Sequence, residues 1–112
     1  EYKLHLDNIG LDYYERKELT KGIEQADIIY MTRVQKERFS DPIEYERTKN
    51  AYVLKNEFLI NTKENMRVLH PLPRVNEIEQ EVDLNPKAYY FTQALNGVFI
   101  RQAIITSILG LI

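Results

Sequence analysis

Two short segments of the sequence combine residue types that could bind a carboxylate and an amino group. The first contains Arg33, Gln35 and Glu37, which alternation along an extended segment would place on one side. A guanidinium matches a carboxylate through two parallel hydrogen bonds, a carboxamide offers a donor and an acceptor, and a glutamate can hold the guanidinium in place. A solvated charged loop is the alternative, and composition alone favours it.

The second segment runs from His70 to Arg74 in the order His-Pro-Leu-Pro-Arg. Proline fixes φ and lacks an N–H, so Pro71 and Pro73 predict a stiff turn whose carbonyl groups can accept from an amino or amide group. A strand terminator, with His70 capping or packing, is the alternative and is favoured when the segment is taken alone. His70 could act as a general base, but no residue near it in sequence orients it, so we assign no catalytic residue.

The overall composition excludes several other kinds of site. With 15 Lys and Arg against 17 Asp and Glu, the net charge is -2, and no basic surface for nucleic acid is expected. The sequence contains no Cys and its two His residues lie far apart, which excludes disulfides, thiolate catalysis and cysteine-ligated zinc and predicts no metal site. The absence of Cys fits a reducing cytoplasm, and the first residues lack the pattern of a signal peptide.

The most apolar stretch, residues 88–112, predicts a buried helix. Asn96, Arg101 and Gln102 interrupt this stretch. A helix that crosses a membrane would tolerate them poorly, so no membrane association is expected.

The apolar pattern predicts one domain in which strands alternate with helices. Asp41 as N-cap, Pro42 at the first helical position and Glu44 as partner in a capping box predict a helix start. The predicted elements are a strand over 2–6, a helix over 11–23, a strand over 26–31, a helix from 42 to about 50, a short helical segment over 57–61, strands over 66–70 and 89–91, and a helix over 95–109. This order predicts an α/β fold with an open, mainly parallel sheet flanked by helices. Ligands bind beyond the carboxyl ends of the strands in such sheets, which is where both polar segments lie.

Three stretches together resemble the second, Rossmann-like domain of aspartate carbamoyltransferase, which binds aspartate. They are residues 26–38, residues 70–78, and residues 93–97 leading to 101–103. The resemblance covers nearly everything from Gly22 to Leu109. It implies that Arg33 binds a carboxylate of L-aspartate and that Gln35 contacts its amino and carboxylate region.

The resemblance also assigns roles to the residues around the proline turn. The backbone carbonyls of Pro71 and Leu72 would orient the amino group that is carbamoylated. Glu37 and Glu77 would steady the guanidinium of Arg33, and Arg74 would have a supporting role. All of these are positioning roles, consistent with catalysis by proximity and charge stabilisation.

In this family the amino nitrogen of aspartate attacks carbamoyl phosphate, which gives N-carbamoyl-L-aspartate and phosphate in pyrimidine synthesis without a cofactor. The resemblance implies that residues 1–112 form the aspartate-binding domain, incomplete on its N-terminal side, and that the carbamoyl-phosphate domain is absent. The chain alone is therefore expected to be inactive. The expected partners are L-aspartate, the missing domain and the other catalytic chains of a homotrimer, and a regulatory chain is left open.

Two local features qualify the resemblance. In allosteric members a Tyr-to-Asp link restrains the loop that follows the first core strand, whereas here Tyr45 would face Asn76, which makes the link neutral and weaker. The last helix packs on the first domain in this family. Ile100, Ile104, Ile108 or their neighbours are therefore expected to be partly exposed.

Two alternative functions remain open on the sequence. Ornithine-type carbamoyltransferases share the fold, but they typically carry a Cys where this chain has Pro71. A non-catalytic amino-acid-binding module is the other alternative.

Overall fold

The computed structural model describes residues 2–35 and 38–111, and it shows three helices and a small parallel sheet in that part of the chain. The helices are α1 (Tyr2–Asn8), α2 (Pro42–Ala51) and α3 (Tyr90–Ile108), and the strands are β1 (Ile28–Tyr30) and β2 (Arg67–Leu69). Short 3-10 helices span Ile23–Gln25, Asn56–Leu59 and Gln80–Leu84. The predicted α/β class is confirmed.

β1 and β2 pair in parallel, with Ile29 opposite Val68 and Tyr30 opposite Leu69. The pairing continues past β1, because the amide of Met31 donates to the carbonyl of Leu69 at 2.9 Å. On its other side β2 forms a parallel bridge between Val68 and Ala88. β2 therefore lies between β1 and the bridge at Ala88. Both predicted core strands are confirmed, with slightly shorter bounds.

The predicted helix start at Asp41 is also confirmed. The carboxylate of Asp41 accepts from the amide of Ile43 at 2.9 Å, and Pro42 occupies the first helical position. The observed contact reaches the second residue of the helix, whereas a capping box would use the third. One otherwise unsatisfied amide at this helix end is thus paired.

The predictions for the first 25 residues are wrong in type. Residues 2–6 were expected to form a strand, but they lie in α1, which buries none of its residues. Residues 11–23 were expected to form a helix, but they form turns and irregular chain that end at Gly22, whose φ of 91° precedes a single 3-10 turn. A strand over residues 2–6 would need a paired neighbour, whereas a short helix satisfies its own backbone hydrogen bonds. Of the loose apolar pattern over residues 11–23 only Ile23 is buried, whereas most of a helix's stability comes from a buried face.

The third predicted strand, over 89–91, is also wrong. Only Ala88 pairs with β2, and the chain enters α3 at Tyr90, five residues before the predicted start at Leu95. A short apolar run cannot be assigned to strand or helix by periodicity alone. The buried position of Tyr90, which has no exposed surface, fixes the start of the helix against the core.

The core surrounds β2 and is small. Its buried apolar residues are Ile23, Met31, Leu54, Leu59, Met66, Val68, Ile78, Val82 and Tyr90. Most of these residues lie in the segments that connect the α-helices and strands. β2 supplies Val68, and α3 supplies only Tyr90.

α3 is not the buried helix that composition predicted. Ile100, Ile104 and Ile108 are 61%, 54% and 79% exposed, so the separate expectation of an exposed apolar face is confirmed. These residues follow one another at four-residue spacing and share a face of the helix. Within residues 2–35 and 38–111, no helix combines the length and hydropathy needed to cross a membrane.

Leu54→Ala should lower the free energy of unfolding by about 2–5 kcal/mol, because Leu54 is fully buried beside Ile78 and its truncation leaves a cavity. Leu84→Ala makes the same change at a side chain that is 91% exposed and should cost less than about 0.5 kcal/mol. Urea denaturation of both variants measures the difference. Equal effects would show that Leu54 does not belong to the core.

Candidate functional site

The two polar segments singled out in the sequence line one cleft of about 750 Å³. Residues 32–35, with Arg38 and Phe39, line one side and residues 70–73 line the other. The segments meet because β1 and β2 are parallel neighbours, so the chain leaves both strands at the same edge of the sheet. The predicted convergence of Arg33, Gln35, Pro71 and Leu72 is therefore observed.

The cleft is suited to an anion. Among the described residues that line it, the charged side chains are the guanidinium groups of Arg33 and Arg38, and Gln35 adds a carboxamide. Arg33 and Gln35 are both exposed, so a ligand in the cleft can reach them. Glu37, expected to steady Arg33, lies outside the described residues.

A second, smaller pocket of about 80 Å³ adjoins Arg33. Tyr45, Asn76 and Glu77 are among the residues that line it with Arg33. Tyr45 and Asn76 thus share one pocket, as the comparison with allosteric relatives anticipated. Glu77 and Arg33 both line this pocket. The expected support of the Arg33 guanidinium by Glu77 stays a prediction.

His70 has partners that the sequence analysis did not find. His70 is 2% exposed, its Nδ1 accepts from the amide of Leu72 at 2.8 Å, and its Nε2 lies 2.7 Å from Oε1 of Glu77. Because Nδ1 accepts a backbone N–H, the ring proton belongs on Nε2, which donates to the carboxylate. Glu77 stands seven residues further along the chain, which is beyond the immediate sequence neighbours of His70.

Glu77 is a buried carboxylate with several donors around it. Its Oε2 accepts from the amides of Val75 and Asn76 at 3.1 and 3.0 Å. Burial acts to raise the pKa of Glu77, but the hydrogen bonds from backbone amides and from His70 outweigh burial and hold the pKa below its usual range. Glu77 therefore organises residues 70–77 as an ionised acceptor.

Gln93, in the first turns of α3, is a second residue whose role the sequence analysis missed. Its Oε1 accepts from the amide of His70 at 2.9 Å, and its Nε2 donates to the hydroxyl of Tyr30 at 3.3 Å. One side chain thus connects the ends of β1 and β2 beside the cleft. The available signal was its place at the start of the third stretch that carries the family resemblance.

Arg74 ends the proline turn and is held by the fold. Its guanidinium makes a bidentate contact with Asp83, donates to the hydroxyl of Tyr90 at 3.1 Å, and lies 5.6 Å from the centre of that ring. The hydroxyl of Tyr90 also donates to Asp83. This cluster connects the turn to the start of α3, which fits a supporting role for Arg74.

The ionisable groups of this cluster shift one another's pKa values. The Arg74 guanidinium holds the pKa of Asp83 below its usual 3.8, and the carboxylate in turn raises the pKa of Arg74. Burial, together with the bond to Asp83, raises the pKa of Tyr90 to about 12. The cluster therefore persists as an ion pair with a neutral phenol over the whole neutral range.

Asp83→Asn should lower the free energy of unfolding by about 2 kcal/mol at neutral pH, because the charged bidentate contact is lost. The folded-state pKa of Asp83 lies below the unfolded one, so the contribution of the carboxylate is complete above pH 3.8 and is lost as pH falls through the folded-state pKa. The difference between wild type and variant should shrink correspondingly in acid. Urea titrations at several pH values measure it.

Asp12→Asn, the same substitution at an exposed position, is the matched control and should change the free energy of unfolding by less than about 0.5 kcal/mol. A wild-type advantage over Asp83→Asn that stayed constant into strong acid would contradict the assigned ion pair.

The parallel sheet, with a cationic cleft beyond the carboxyl ends of its strands, defines a ligand-binding α/β domain. Residues 3–108 match the family profile described as aspartate/ornithine carbamoyltransferase, Asp/Orn binding domain. The aspartate carbamoyltransferase catalytic subunits of Azobacteroides pseudotrichonymphae and Parabacteroides distasonis are 58% and 59% identical to the chain. These matches cover 98% and 99% of the chain and 37% of each relative.

Solved structures give the same result. The catalytic subunit of M. jannaschii aspartate transcarbamoylase superposes with a TM-score of 0.86 at 38% identity over 96% of this chain and 35% of that one. Aspartate transcarbamoylase from Trypanosoma cruzi, in complex with N-(phosphonacetyl)-L-aspartic acid, superposes with a TM-score of 0.78 at 32% identity over 92% of this chain and 33% of that one. The chain belongs to the aspartate/ornithine carbamoyltransferase family and corresponds to its Asp/Orn-binding domain. It spans about 37% of the length of the curated relatives named above.

Proposed function

We propose that this domain binds L-aspartate and presents its amino group to carbamoyl phosphate in an aspartate carbamoyltransferase. The observation that carries the proposal is the shared cleft, which Arg33 and Gln35 line together with Pro71 and Leu72. The named relatives are aspartate carbamoyltransferase catalytic subunits, which supports the same substrate.

The proposed chemistry divides the substrate between the two sides of the cleft. Arg33 binds a carboxylate of aspartate through two parallel hydrogen bonds, and Gln35 donates or accepts beside it. The carbonyls of Pro71 and Leu72 accept from the amino group. With the amino group held in this way in its neutral form, its lone pair attacks the carbonyl carbon of carbamoyl phosphate, the bond from that carbon to the phosphate oxygen breaks, and the proton lost by the nitrogen passes to the departing phosphate.

In this proposal the domain contributes position. Holding the two reactants in an attacking geometry replaces an encounter in solution by a step within one complex. No cofactor is required, because the phosphate is itself the leaving group. The binding of carbamoyl phosphate, and the stabilisation of charge on the departing phosphate, belong to another domain of the complete enzyme.

The exposed face of α3 supports a second domain as its partner. Ile100, Ile104 and Ile108 present apolar side chains that a soluble domain would ordinarily bury. We propose that the carbamoyl-phosphate domain covers this face, and that the complete catalytic chain works as a homotrimer in the cytoplasm. A regulatory chain remains an open partner.

The charge of the cleft favours aspartate over ornithine. The guanidinium groups of Arg33 and Arg38 attract a second carboxylate and repel the ammonium group at the end of an ornithine side chain. A non-catalytic amino-acid-binding module would share the cleft but would produce no carbamoyl product. Turnover therefore discriminates among the three functions.

A chimera should test the proposed activity. Residues 1–112 would replace the matching region of the aspartate carbamoyltransferase catalytic subunit of Bacteroides thetaiotaomicron, which is 57% identical over 112 residues. We expect the chimera to form N-carbamoyl-L-aspartate from L-aspartate and to form no product from L-ornithine. A correctly folded chimera that used ornithine, or that bound aspartate without turnover, would contradict the proposal.

Arg33→Lys in the chimera should raise the KM for aspartate roughly ten- to hundredfold and lower kcat, because a lysine keeps the charge but loses the two parallel hydrogen bonds. Steady-state kinetics at saturating carbamoyl phosphate measure both constants. Arg47→Lys makes the same change at an exposed position of α2 and is the matched control. Equal kinetics for the two variants would remove Arg33 from the site.

A further inference from the structure

The backbone of the proline turn adopts an unusual conformation at the residue that would contact the substrate. Leu72 has a φ of 47°, in the left-handed region that non-glycine residues rarely adopt. The directions of the carbonyl groups of Pro71 and Leu72 depend on this torsion. A left-handed leucine persists only where surrounding contacts impose it, so the contacts of Leu72 must hold this torsion.

The amide of Leu72 donates to Nδ1 of His70, which lies two residues earlier in the chain. This bond closes the turn on itself. The imidazole cannot swing away, because Nε2 is bound to Glu77, whose side chain is 4% exposed, and because the backbone amide of His70 is bound to Gln93. His70 is thus held at three points, by partners from the turn and from α3.

Both ring nitrogens of His70 are committed to these bonds. Nδ1 receives the Leu72 amide and Nε2 faces a carboxylate that also accepts from two backbone amides. No lone pair of the ring is left to take a proton from a substrate, although His70 is among the residues that line the cleft. A role as general base would require the turn to open.

We propose that His70 is a positioning residue for the amino group of the substrate: its imidazole, fixed by Glu77, holds the amide of Leu72 and so directs the carbonyls of Pro71 and Leu72 into the cleft. The proposal rests on the proposed function for the identity of the substrate. It adds a residue that acts on the amino group through the backbone. The carboxylate of the substrate is bound elsewhere, by Arg33, and should not depend on His70.

NMR of the imidazole nitrogens in the 112-residue chain tests the geometry without any enzymatic assay. We expect Nδ1 of His70 to be unprotonated and Nε2 to carry the proton at neutral pH, with the Leu72 amide protected from exchange. A proton on Nδ1, or a rapidly exchanging Leu72 amide, would overturn the proposal. His5, exposed in α1, provides the reference signal in the same spectrum.

Two substitutions in the chimera separate the two bonds of the ring. His70→Gln places a donor near Glu77 but removes the acceptor for Leu72, whereas His70→Asn keeps an acceptor near Leu72 and no longer reaches Glu77. We expect His70→Gln to raise the KM for aspartate roughly tenfold. His70→Asn should raise this KM less than His70→Gln does, since it retains the bond to Leu72 but loses the bond to Glu77.

Succinate, the same dicarboxylate without the amino group, distinguishes positioning from general damage. His70→Gln should change the inhibition constant of succinate less than about twofold while aspartate weakens, because only aspartate needs the two carbonyls. Equal weakening of both ligands, or of neither, would overturn the proposal. His5→Gln is the matched control and should change neither constant.

The outcomes also separate this proposal from the function on which it rests. A folded parent chimera without carbamoyl aspartate would defeat the proposed function, while the NMR measurement would still decide the geometry of His70. An active parent with an unselective His70→Gln variant would leave the function standing and defeat the positioning role. If His70→Gln does not fold, the tautomer of His70 still tests the geometry. A His70→Asn variant that weakens succinate as much as aspartate would then overturn the positioning role.

Discussion

Parallel pairing of β1 with β2 determines where every candidate ligand contact lies. Tyr30 stands opposite Leu69, so the chain leaves both strands at the same edge of the sheet and enters the two segments that line the cleft. An antiparallel pair would have sent these segments to opposite ends. The bridge from β2 to Ala88 adds the start of α3 to the same region, which brings Gln93 within reach of both strand ends.

The residues at this edge divide into an exposed set and a buried set with different tasks. Arg33 and Gln35 are exposed and can meet a ligand, whereas His70 and Glu77 are buried and bind each other and the backbone. A buried polar group without a partner costs about 1–3 kcal/mol, so a satisfied network favours one conformation of the turn over its alternatives. The low pKa of Glu77 belongs to the same arrangement, because its donors stabilise the ionised acceptor.

The weakest part of the arrangement is the packing of α3. The radius of gyration is 17.1 Å, against roughly 13 Å for a compact domain of this length, and α3 buries only its first residue against the core. The cluster of Arg74, Asp83 and Tyr90 therefore anchors the helix at one end, beside the site. An apolar face on the remainder of α3 is what a helix between two domains would present.

Local signals in the sequence were sufficient for the two core strands and the helix start at Asp41, because each depends on residues within a few positions of one another. The meeting of Arg33 and Gln35 with the proline turn followed instead from the predicted parallel sheet and from the family resemblance, because the two segments lie far apart in the sequence. The sequence patterns were also misleading for residues 2–6, which are helical although α1 buries none of its residues, and for residues 11–23, which are mostly irregular. Because Tyr90 is buried in the core, only the tertiary structure decided that a helix starts there. It alone paired His70 with Glu77 and with Gln93, which are 7 and 23 residues away. Short apolar patterns fit more than one element until packing selects among them, and a side chain finds a distant partner only after the backbone has brought the two together.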